Sequence, residues 1–71
     1  MRNHSEQKLF DLLISLGFTL METDKFLYFK NGKELFVFPH KLYAHHYLHA
    51  RKHLDMNGWI DEEDFNEMFD L

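Results

Sequence analysis

The sequence has no cysteine, one proline and three glycines. Without cysteine there can be neither a disulfide nor a thiolate metal site. Gly17, Gly32 and Gly58 are too few and too scattered to form a phosphate-cradling loop. Side-chain hydroxyls other than tyrosine are limited to Ser5, Ser15, Thr19 and Thr23, and none lies in a glycine-rich elbow that could present a nucleophile. Apolar runs are short: Leu12-Leu13-Ile14 and Leu35-Phe36-Val37-Phe38-Pro39 fall far below the roughly 20 residues of a membrane-spanning helix. The opening Met1-Arg2-Asn3-His4-Ser5-Glu6 lacks the apolar stretch of a secretory signal. A cytoplasmic location without a membrane partner is therefore expected, in keeping with the missing cysteines.

A strong basic excess is also absent, and with it the electrostatic footprint of a typical nucleic-acid binder. The net charge of −4 is unevenly spread. Residues 1–60 hold all eight Lys and Arg against six acids, whereas residues 61–71 hold six acids and no base. A mildly basic body with an acidic tail permits weak anion binding.

Apolar density is what the chain has in place of these. It is 45% hydrophobic and 17% aromatic, with eight Phe, three Tyr and one Trp. Seventy-one residues predict one domain over 1–71. A chain this short buries only about 60% of its unfolded surface. So much aromatic surface predicts a Phe-rich core or a buried oligomer face.

The spacing predicts a first helix over about 4–16, with Asn3 as its cap and Glu6 at the capping-box position. Leu9, Leu12, Leu13 and Leu16 recur at helical spacing, and Gly17 ends the run. Residues 18–22 read as a strand and Thr23-Asp24-Lys25 as a turn. Phe26 to Lys30 and Glu34 to Phe38 read as a hairpin about an Asn31-Gly32 loop, closed by Pro39. That loop pairs Lys30 with Lys33, Tyr28 with Leu35 and Phe26 with Val37. Both faces of the hairpin are then apolar: one must take the helices, and the other is covered by the tail or left for a partner. Leu42 to Met56 reads as helix two, ended by Asn57-Gly58. A third helix starts at Asp61 with Glu62, Glu63 and Asp64 in its first turn, and Phe65, Met68, Phe69 and Leu71 make its apolar side. Trp59 and Ile60 are expected to be buried between the two helices. The result is an α+β domain of order α-β-β-β-α-α.

Three groups of residues could carry chemistry. His45, His49 and His53 recur every four residues on helix two, with His46 beside them, and imidazoles at that spacing can bind zinc. No Glu lies inside the pattern as in His-Glu-x-x-His hydrolases, and a solvated polar helix surface accounts for it more readily than a metal site does. Partly charged imidazoles could also help to hold phosphate. Lys25, Lys30 and Lys33 near the turns, with Lys41, Arg51 and Lys52 near helix two, could neutralise RNA phosphates or serve solubility alone. The tail carboxylates look like a solvated first turn, and no cofactor is expected.

Several stretches, in order, resemble the HicA-type mRNA interferase toxins. These are Leu9 to Phe18, with its Gly-Phe ending; Val37-Phe38-Pro39-His40, similar to that family's Val-x-Pro-His; and the run from Arg51 through Gly58 to Phe65. The resemblance covers roughly residues 6–70. It implies a double-stranded-RNA-binding-like fold, with helices on one face of a three-stranded antiparallel sheet. It also implies RNA or an antitoxin-like protein as partner. The family cleaves RNA with a histidine in a Gly-Ser-His motif at the start of the second strand. Those positions fall at Asp24-Lys25-Phe26 here, and Phe26 cannot transfer a proton.

Three functions follow as expectations. The first is a non-catalytic HicA-like domain binding RNA or a cognate protein, with Lys25, Lys30, Lys33, Lys41, His45, Arg51 and Lys52 as RNA contacts. The second is a module that self-associates through Phe26, Leu27, Tyr28, Phe36 and Phe38. The third is a ribonuclease or metal protein using a relocated histidine, with His40 or His45 best placed for cleavage.

Overall fold

The computed structural model describes residues 3–69. The elements are α1 (His4–Ser15), β1 (Thr19–Glu22), β2 (Phe26–Asn31), β3 (Glu34–Pro39), α2 (Ala44–Met56) and α3 (Glu62–Phe69). The three strands form one antiparallel sheet in the order β1-β2-β3. The fold is thus α+β with the expected element order.

Helix α1 begins as its sequence predicts. Glu6 N donates to Asn3 Oδ1 at 2.8 Å, and Asn3 N donates back to Glu6 Oε1 at 3.2 Å. This closes the capping box. The helix ends where Gly17 takes a φ of 97°, a conformation costly to any residue with a Cβ. The β2–β3 loop differs from its expected position by one residue. Asn31 belongs to β2 and pairs with Glu34, so Gly32 and Lys33 make the loop, with Gly32 at φ 61°. Asn31 is held in the strand because its Nδ2 donates to Leu16 O at 3.2 Å. The partners therefore become Lys30 with Leu35, Tyr28 with Val37 and Phe26 with Pro39. Each pair moves by two positions, so every side chain keeps its face.

The two faces have different fates. Leu27, Phe29, Phe36 and Phe38 point inward and are buried. The ring of Phe10 in α1 stacks on Phe29 at 5.2 Å and lies 6.2 Å from Phe38. Leu9, Leu12, Leu13, Phe18, Leu42, Ala50, Leu54 and Phe65 complete the core. The self-association surface expected at Phe26, Leu27, Tyr28, Phe36 and Phe38 is therefore corrected. Leu27, Phe36 and Phe38 lie under the helices and offer a partner nothing, because the two-residue alternation sends them to the opposite side from Phe26 and Tyr28.

Helix α2 starts at Ala44, two residues later than its sequence predicts. Leu42 is instead a buried residue before the helix, and its N–H donates to Glu6 Oε2 at 2.8 Å. Trp59 and Ile60 are half-buried rather than buried, with Trp59 against Phe18 at 5.4 Å. Helix α3 is joined to α1 by a hydrogen bond from Lys8 Nζ to Met68 O and to α2 by Arg51. Leu71, expected on its apolar side, lies outside the described residues.

Candidate functional site

Among the described residues nothing covers the outer face of the sheet. Strand alternation brings Thr19 and Met21 of β1, Phe26, Tyr28 and Lys30 of β2, and Leu35, Val37 and Pro39 of β3 to this side. Met21 is 66% exposed, Leu35 55%, Val37 45% and Phe26 41%. Phe26 and Tyr28 meet edge to face at 6.3 Å. Near the β2–β3 loop the surface dips into an open hollow of about 560 Å³ lined by Thr19, Met21, Tyr28, Lys30, Gly32 and Leu35. An apolar sheet face open to water costs hydration free energy that the inner face has removed.

The RNA-contact candidates do not converge. Lys25 and Lys33 lie in turns at opposite ends of the sheet, and Lys30 is on its outer face. Lys41 reaches over the Tyr43 ring at 5.6 Å. Arg51 donates to Asn66 Oδ1 at 2.9 Å and lies 3.7 Å from Glu62, so its charge is directed to α3. His45 and Lys52 sit on α2, the helix packed on the inner side.

The histidines of α2 form pairs rather than a line. The His45 and His46 rings are 4.0 Å apart, and those of His49 and His53 are 4.4 Å apart. His46 stands perpendicular to Phe38, and His49 and His53 stand perpendicular to Phe36. Ring packing on β3 thus selects the rotamers, and two steps of four residues rotate the helix about 80° out of line. His45 turns instead to stack on Tyr43. Among the described residues no group of three or more His, Cys, Asp or Glu could hold a metal ion, so the expected His45, His49 and His53 site does not assemble.

His46 has a structural task that its sequence does not announce. Tyr43 N donates to His46 Nδ1 at 2.8 Å, so an imidazole does at α2 what Glu6 does at α1. Burial lowers the His46 pKa, and the nearby His45 and His49 lower it further. Burial also lowers that of His49, helped by His53 and Lys52. Both favour the neutral ring.

At the other end of the sheet, Phe26 pairs with Pro39 and His40 follows. His40 Nε2 is 2.8 Å from the Thr23 carbonyl oxygen, so this nitrogen carries the hydrogen and donates. Its Nδ1 lies 3.9 Å from Glu22. The ring thereby ties β3 to the β1–β2 turn, where Thr23 Oγ1 and Phe26 also exchange hydrogen bonds. Among the described residues no helix is long and apolar enough to cross a membrane. No protein-family model, curated protein or solved structure matches the chain.

Proposed function

We propose that this chain is a non-catalytic, HicA-like domain that acts by binding a protein on the open face of its sheet. The observation that carries the reading is Phe26. By the resemblance it falls where that family has its catalytic histidine, and it stands 41% exposed among Met21, Tyr28 and Val37. A phenyl ring cannot move a proton and offers apolar contact instead.

Two further facts favour a protein over RNA. The basic side chains are divided between both ends of the sheet and the helical side, so they do not follow one phosphate track. His40, which follows Phe26's strand partner Pro39, holds the Thr23 carbonyl. The test uses the full chain with a structured RNA at low and moderate salt. Neither cleavage nor salt-dependent binding is expected. Cleavage abolished by His40→Ala or His45→Ala, or an affinity that falls steeply with salt, would refute the proposal.

A further inference from the structure

Three strands about 4.8 Å apart, β2 and β3 of six residues and β1 of four, at about 3.4 Å a residue, span at most roughly 14 by 20 Å. An α-helix about 10–12 Å across and three to four turns long covers the same rectangle.

Charge points the same way. Among the strand residues of this face Lys30 is the one charged side chain, and Lys33 follows in the adjoining loop. The strand acids Glu22 and Glu34 alternate to the inner side. Asp24 and Lys25 lie in the turn at the far end. Two such faces laid in the same direction would meet lysine with lysine. A helix with acids beside its apolar ridge would satisfy Lys30 and Lys33. The hollow formed by Met21, Tyr28, Lys30 and Leu35 then accepts one bulky apolar side chain next to that carboxylate.

We infer that the occupant of the outer face is an amphipathic, acidic helix of a partner protein, lying along the strands with a carboxylate at Lys30. This rests on the proposed protein-binding function and specifies its partner.

Three synthetic amphipathic peptides of about four turns test it. They share a Leu ridge and differ in flanking residues: Glu, Ser or Lys. The Glu-flanked peptide is expected to bind most tightly, at least about tenfold better than the Lys-flanked one. Lys30→Glu should reverse that order, and Val37→Glu should abolish binding of all three while leaving the circular dichroism spectrum unchanged. Binding of the Ser- or Lys-flanked peptide as tightly as the Glu-flanked one, lost in Val37→Glu, overturns the inference and leaves the docking face intact. Binding of none overturns both. A dimer in light scattering that Val37→Glu dissociates also overturns the inference, because a second copy would then hold the face.

Discussion

Glu6 is the one charged residue buried in the described chain, and each of its oxygens has a specific donor. Oε1 accepts from Asn3 N and Oε2 from Leu42 N, so a single carboxylate caps α1 and anchors the segment entering α2. Glu6→Gln puts an amide N–H₂ against one of these backbone N–H groups. A loss of about 1–3 kcal/mol is expected, measured by urea unfolding. Burial raises the Tyr47 pKa and the Glu6 charge adds to it, so the same variant should move tyrosine titration toward its ordinary range. His46 makes a parallel cap with a group that titrates. Its folded pKa is lowered, as is that of His49, so the unfolded chain binds protons first as pH falls. Stability from the neutral rings is full above about 6.5, the unfolded value, and is lost as pH drops through the lowered folded values. Unfolding midpoints measured from pH 7.5 to 5 should fall, and His46→Gln should flatten part of that slope. Of these two caps only the one at Glu6 was legible. Asn3 and Glu6 form a recognised pattern, whereas a tyrosine N–H capped by histidine has no sequence signature.

Among the elements, the hairpin shows where local rules meet tertiary contacts. Asn-Gly favours both central positions of a tight loop, yet here Asn31 sits in the strand. Its side chain bridges to Leu16 O at the end of α1, a contact that joins residues fifteen apart and is invisible to any local pattern. Every side chain keeps its expected face because the pairing differs from the Asn-Gly register by an even number of residues. Gly17 lies at the same junction. A Cβ there would come within 3.2 Å of Asn31 Nδ2, in a backbone conformation that already disfavours side chains. Gly17→Ala should therefore cost more than about 1 kcal/mol in thermal or urea unfolding. Helix α2 was legible as a helix but not as a histidine-studded layer over Phe36 and Phe38. Its four-residue spacing suggested a metal line, and the rotamers that satisfy the Phe rings separate it into pairs.

For the molecule as a whole, the shortest extent is 19 Å, which suits one layer of helices on one sheet. All the buried aromatic surface serves the inner side, and the outer apolar residues contribute little to folding. Leu27→Ala should destabilise by about 2–5 kcal/mol, whereas Val37→Thr on the outer side should stay within about 0.5 kcal/mol. A much larger loss at Val37 would mean that its face is structural. Alternation alone disclosed that both faces are apolar, but not which one the helices cover, since that depends on contacts between Phe10, Phe29 and Phe38. The uncovered face is proposed to receive a protein partner. Amide-resolved NMR of the full chain titrated with the Glu-flanked peptide tests it most directly. Shifts confined to Thr19–Met21, Phe26–Lys30 and Leu35–Val37 are expected. Shifts centred on α2 and α3, or none at saturating peptide, would contradict it.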